Sequence, residues 1–262
     1  GRVQLRPAVN FRRHDAPVDT TIQQPYALTA IADRFELETE GEFPPLRMFI
    51  YGQRSAFVVE GHDIIQVYHE SEHNRGYASS GDLWSPGNFR AVLDQDNPIT
   101  VVASTERWET ILALQPADAI MAGQQRRARL LAKTPQAARQ EIGDDLILAA
   151  DQFIITPTGR IEDSARARAA GDESCSVIAG YHWFTDWGRD TMISLEGLAL
   201  ITGRHVEAGY ILRNFGRYVQ NGLIPNMFPE DTCNGRYNTA DATLWFFHAI
   251  DRYLQLTGDR IT

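Results

Sequence analysis

Ile99-Thr100-Val101-Val102-Ala103 is a run of β-branched residues, and Ala117 to Ala132, a few residues on, is a run of good helix formers with a basic face at Arg126, Arg127 and Arg129. Between them, from about residue 107, the period of the chain changes, and that change decides the fold. Upstream the signal is strand-like. Arg47-Met48-Phe49-Ile50-Tyr51, Ser55-Ala56-Phe57-Val58-Val59 and Ile64-Ile65-Gln66-Val67-Tyr68 are separated by Gly, Asp and Asn turn residues, and Phe89-Arg90-Ala91-Val92-Leu93 reads as a partner for the 99–103 run. Roughly six to nine short strands without a helical period predict an antiparallel β-sandwich over residues 1–106.

Downstream, residues 107–262 read as α-hairpins. Residues 137–154 set Ile142, Leu146, Ala149, Ala150 and Phe153 at helical spacing. Thr158 to Gly171 is rich in glycine and charge and reads as a loop. Three helices are then predicted, over about 189–202, 206–220 and 238–256. The first ends at Thr202-Gly203 and the last at Thr257-Gly258, with glycine where a left-handed cap is wanted.

The composition of the 262 residues, 43% hydrophobic and 23% charged, is that of a soluble globular protein. A net charge of −9 argues against nucleic acid, whose phosphates it would repel, and suits a neutral polymer. No apolar run approaches the roughly 20 residues that span a bilayer, and Gly1 to Asp15 has no apolar signal core, so a cytoplasmic protein is expected. Cys175 and Cys233 lack zinc-site spacing and read as free thiols. The acidic residues near 143–145 and at 230–231 read as solvated, and nothing calls for a metal or an organic cofactor. The chain begins without methionine inside a strand and stops just after a helix, which reads as a piece of a longer protein.

Chemistry concentrates in two segments. Gly180-Tyr-His-Trp-Phe-Thr-Asp-Trp-Gly-Arg-Asp190 gathers Trp183, Phe184 and Trp187 with Asp186, Arg189 and Asp190 at a loop-to-helix junction. Flat aromatic faces cover the C–H surface of a pyranose, while the arginine fork and carboxylate oxygens bind its hydroxyls. The same residues also read as an aromatic core with an aspartate capping a helix. The second segment is Gly222-Leu-Ile-Pro-Asn-Met-Phe228, followed by Tyr237-Asn-Thr-Ala-Asp-Ala-Thr-Leu-Trp-Phe-Phe-His248. With Asn238 or Thr239 as cap, Asp241 falls in a first turn and shares a face with Trp245 and His248, while Ala240, Leu244 and Phe247 form a packing stripe. A helix N-terminus lowers a carboxyl pKa, whereas a general acid needs it raised, so burial or a second carboxylate must outweigh the helix if Asp241 is to donate a proton.

At these residues the sequence resembles the glycogen debranching enzyme (amylo-α-1,6-glucosidase) family. Val177 to Leu195 is similar to its most recognisable stretch, and 222–228 and 237–246 to the next two. Asp82-Leu-Trp-Ser-Pro-Gly and Thr100-Val-Val-Ala-Ser-Thr resemble its N-terminal β-domain. The resemblance implies a truncated (α/α)6 toroid after the sandwich. It also implies inverting hydrolysis of the α-1,6-linked glucose at branch points of a branched α-glucan, glycogen or its limit dextrin. It places hydroxyl-holding roles on Arg189 and Asp190 and the general acid on Asp241, with Trp183, Trp187, Asp186, Tyr237, Asn238 and Trp245 as further substrate-binding candidates. The base is expected beyond residue 262, which would leave this stretch inactive alone, and Glu230 is given no such role. A bacterial-style layout lacks the glucanotransferase domain that eukaryotic debranching enzymes place upstream. His182, where the family pattern leads one to expect proline, is a departure. A glucoamylase- or trehalase-like α-glucosidase and a non-catalytic glucan-binding fragment are the alternatives; a helical scaffold leaves the Trp/Arg/Asp clustering unexplained.

Overall fold

Turn residues cut the first part of the chain into strands, and the strands sort by which face is apolar. The computed structural model describes the chain apart from residues 14–15, 24–25, 42, 97, 158–159, 182–184, 230–233 and 261–262, and apart from the side chains of 61–63. It divides into two compact units, Gly1–Met121 and Ala122–Thr262.

In the first unit, β1 (Arg2–Leu5), β2 (Ala27–Ile31), β3 (Arg34–Glu38), β4 (Leu46–Tyr51), β5 (Ala56–Tyr68), β6 (Ser80–Val92) and β7 (Thr100–Ser104) form two antiparallel sheets, ordered β1-β6-β5 and β2-β3-β4-β7. Alternation along β3 buries Phe35 and Leu37, and β6 buries Trp84 and Phe89. These side chains share one core, in which Phe35 of one sheet stands 4.5 Å from Phe57 and 5.7 Å from Phe89 of the other, centroid to centroid. The runs 55–59 and 64–68, expected as separate strands, are one long strand whose register on β6 shifts between Val59 and Asp63. The expected pairing of 89–93 with 99–103 does not occur. The first lies in β6 and the second in β7, in different sheets, because β7 pairs with β4. Two short helices, α1 (Glu70–Asn74) and α2 (Trp108–Ile111), punctuate this unit, and the Trp108 indole nitrogen donates to Glu36 at 2.9 Å.

The second unit is helical. Its elements are α3 (Pro116–Lys133, entered from the first unit), α4 (Gly143–Asp151), α5 (Ile161–Ala170), α6 (Gly188–Leu195), α7 (His205–Gly216) and α8 (Asp241–Thr257). A two-stranded ribbon of β8 (Ile154–Ile155) and β9 (Ser176–Val177) joins them. α6 continues as a π-helical turn, Glu196–Leu200, in which Ile201 N donates to Glu196 O at 2.9 Å. Gly203 and Gly258 adopt the expected left-handed caps, with φ of 77° and 70°.

Three expectations are corrected here. The stretch expected as a loop, 158–171, contains α5, which starts with Glu162 and Asp163 in its first turn and closes on left-handed Gly171. In α4 the buried stripe is Gly143, Ile147 and Ala150, whereas Ile142 and Leu146 are exposed. In α8 the buried stripe is Ala242, Thr243, Phe246, Ala249 and Tyr253, and Leu244 and Phe247 face outward. Small Ala242 and Thr243 let α8 approach α6 closely, so the buried cluster pairs Met192 and Leu195 of α6 with Phe246 and Ala249 of α8. Cys175 is a buried free thiol, and Cys233 lies outside the described residues.

Candidate functional site

The two helices that pack together also bring their N-termini together, and the chain reaches α6 through a ladder of single bridges. Ile178 bridges Asp186, Trp187 bridges Met227, and Met227 bridges Arg236. Gly188 N donates to Asn226 O and Asn226 N to Arg236 O, both at 2.7 Å. Only glycine fits at 188, because a Cβ there would stand 2.1 Å from the Pro225 carbonyl oxygen. Two of the sequence segments are thus stitched to each other by main chain, and α6 begins at a fixed point. Ile224 N donates to the Thr243 hydroxyl at 3.0 Å, which ties α8 to the same strip.

Arg189 and Asp190 occupy the first turn of α6, and Asp241 is the first residue of α8. Arg189 Nη1 donates to Asp241 Oδ2 at 3.2 Å, and Arg189 Nε lies 3.9 Å from Asp190 Oδ2. All three side chains remain 38–45% exposed, so they form a polar cluster open to a ligand. The residue before α8 is Ala240, not Asn238 or Thr239, and it offers no side-chain cap; Asp241 Oδ1 instead accepts from Ala242 N at 2.9 Å. The nearby Thr239 hydroxyl, which has no well-aligned hydrogen bond of its own, and the Arg189 guanidinium hold the Asp241 carboxyl below its ordinary pKa. The condition set by general-acid chemistry, a desolvated carboxyl, is not met in the free chain.

Trp245 and His248 lie one turn further along the exposed face of α8 and meet edge to face at 5.3 Å. Trp187 is half-buried, Asn238 is exposed, and the Tyr237 hydroxyl donates to the Tyr218 carbonyl at 2.7 Å. Burial raises the Tyr237 pKa. Trp183, with His182 and Phe184, lies outside the described residues, as do Glu230 and Asp231.

Asp186 does not join the cluster. It is 4% exposed, and its Oδ2 accepts from Arg160 Nη2 and, at 2.8 Å, from the Ser176 hydroxyl. Its Oδ2 is thus engaged by the protein, apart from the exposed Arg189, Asp190 and Asp241 side chains. Arg160 and Asp163, at the start of α5, were not among the candidates. Asp163 Oδ1 accepts from the Tyr218 hydroxyl at 2.5 Å, and both residues are under 5% exposed. The available signal was an acidic first turn followed eight residues later by a glycine cap, the mark of a short helix.

A family model described as glycogen debranching enzyme N terminal matches residues 1–100, and one described as amylo-alpha-1,6-glucosidase matches residues 148–262. These define a carbohydrate-active class, the glycosidases of glycogen breakdown. The chain belongs to the glycogen debranching enzyme family. The glycogen debranching enzyme of Saccharomyces cerevisiae is 41% identical over 94 residues, a stretch that covers 34% of this chain and 6% of the yeast protein's length. No helix among the described residues is long and apolar enough to cross a membrane.

Proposed function

We propose that this chain is part of an amylo-α-1,6-glucosidase that removes single α-1,6-linked glucose units from the branch points of a glycogen-type glucan, with inversion. In this reading the first unit is the family's β-sandwich and the helices of the second begin an (α/α)6 toroid. The observation that carries the reading is the 3.2 Å contact between Arg189 and Asp241, because it joins the two chemistry-bearing segments in one exposed cluster of carboxylates and a guanidinium. Exposed Leu244 and Phe247 on α8 fit a helix that further hairpins of a toroid would cover.

Arg189 and Asp190 hold hydroxyls of the terminal glucose, and Trp187 and Trp245 offer faces to its ring. Asp241 is the general acid. Its ionised, Arg189-paired state describes the chain without sugar. When Arg189 turns to the sugar hydroxyls and the ring excludes water, Asp241 loses its cation and its solvent together, and both changes raise its pKa toward that of a proton donor. The base comes from residues outside this sequence, with its carboxyl roughly 6.5–9.5 Å from Asp241 to admit a water.

The test is a substrate panel given to the full-length protein: a dextrin bearing glucosyl α-1,6 stubs, linear maltooligosaccharides and trehalose. Glucose from the stubbed dextrin alone is the expected result. Efficient release from the linear chains, or from trehalose, would replace this reading by a glucoamylase- or trehalase-like one. Retention on a glucan column with no release from any substrate would make the protein a binding module.

A further inference from the structure

Arg160 is connected, directly or through a short chain of contacts, to the segments that build the candidate site. Its Nη2 donates to buried Asp186, two residues before Gly188 and three before Arg189. Its Nε lies 3.6 Å from Asp163 Oδ2, and its guanidinium carbon sits 4.2 Å above the ring of Phe228. Asp163 then accepts from the Tyr218 hydroxyl at 2.5 Å, and the Tyr218 carbonyl accepts from Tyr237, four residues before Asp241, at 2.7 Å. One arm of this network fixes the entry to α6 and another the approach to α8. The Phe228 contact holds the strand-like strip to which both are bridged. The two arms end on the residues that meet across the site, Arg189 and Asp241.

We infer that Arg160 is a positioning residue for the α-1,6-glucosidase reaction, setting the separation of Arg189 and Asp241 from the interior through the Asp186 and Asp163–Tyr218–Tyr237 arms. This rests on the reading of Arg189 and Asp241 as working residues. Arg160 is 3% exposed and touches neither of them, so it does not meet substrate. Its planar fork serves two carboxylates and one aromatic face at once. A lysine ammonium, a single point charge, cannot span all three. A buried guanidinium held on several sides has one low-energy pose, which is what a positioning element requires.

The experiment uses the full-length protein and the stubbed dextrin, with Arg160→Lys, Tyr218→Phe, Arg189→Ala and, as a control for stability alone, Leu212→Ala in the same core. Arg160→Lys is expected to lower kcat on the order of 10- to 100-fold, the effect of misplacing a reacting group by up to about an ångström. Tyr218→Phe, which removes one hydroxyl and cuts only the α8 arm, is expected to give a smaller fall in the same direction. Leu212→Ala is expected to lower the melting temperature and leave kcat unchanged. Combining Arg160→Lys with Arg189→Ala is expected to cost less than the product of the two single losses, because one arm of the Arg160 network acts through Arg189. If Arg189→Ala keeps full activity, the functional reading itself fails. If Arg189→Ala is impaired while a folded Arg160→Lys keeps its kcat, or while the two losses simply multiply, the positioning role is overturned. Should Arg160→Lys not fold, an unchanged kcat in Tyr218→Phe overturns it and a lowered one upholds it.

Discussion

Replacing Gly188 by alanine sets three local effects against one another. A Cβ at this position would stand 2.1 Å from the Pro225 carbonyl oxygen and 3.4 Å from Phe215 Cε1. The first is over an ångström inside van der Waals contact, and its partner is backbone, so α6 and the 222–228 strip must part. Overpacking of this kind costs about 1–3 kcal/mol. The parting also stretches the 2.7 Å bond from Gly188 N to Asn226 O, a further cost of about 0.5–1.5 kcal/mol. Against these stands the gain of alanine over glycine in a helix, at most about 1 kcal/mol and less at a first position. The clash wins, and a net loss of about 0.5–4.5 kcal/mol follows. For a protein of this size, at about 2–4 °C per kcal/mol, the melting temperature should fall by about 1–18 °C. Calorimetry of Gly188→Ala beside the parent measures it. An unchanged or raised melting temperature would refute the close approach of these two segments, and with it the main-chain stitching of the site.

Two further outcomes are expected. Burial, chiefly, with the nearby charge of Glu207, pushes the Cys175 thiol up to about 12, so it should resist iodoacetamide at pH 8 while the chain is folded and react once denatured; brisk labelling of the native chain would contradict its burial. Burial also pushes the Asp151 carboxyl up, but hydrogen bonds and charge from Arg126 and Arg204 outweigh it and hold it below the ordinary range. A group depressed on folding stabilises above its unfolded pKa, near 3.9, and loses that contribution as pH falls through its folded value. Asp151→Asn should therefore be less stable to urea than the parent at neutral pH, and the gap should close below about pH 4; a gap constant across that range would refute the pairing.

Some of this architecture was legible in the residues alone. The handover from strand to helix near residue 107, the glycine caps at 203 and 258 and the start of a helix near 189 all rest on local chemistry that the sequence displays directly. The phase of a helix does not. In α8, Leu244 and Phe247 are the larger side chains and so the more plausible core. Close packing on α6 selects the face with Ala242 and Thr243 instead, and that choice depends on the partner helix. α5 escaped notice because its charge resembles a loop, while the reason for two of those charges, Arg160 and Asp163, lies in Asp186 and Tyr218, 26 and 55 residues further along. The inward contacts of Asp186 were hidden for the same reason. Its segment is rich in sugar-binding residue types, and only the fold shows that this aspartate turns inward to Arg160. Arg189, Asp190 and Asp241 were visible as candidates, but their meeting depended on helices whose packing the sequence does not state.

The most direct test of the account is an NMR measurement of the anomer of glucose first released from a glucosyl-stubbed dextrin by the full-length protein, beside its Asp241→Asn variant. β-Glucose from the parent and almost none from the variant is the predicted result. α-Glucose from the parent would contradict inversion, and undiminished release by the variant would remove Asp241 from the chemistry.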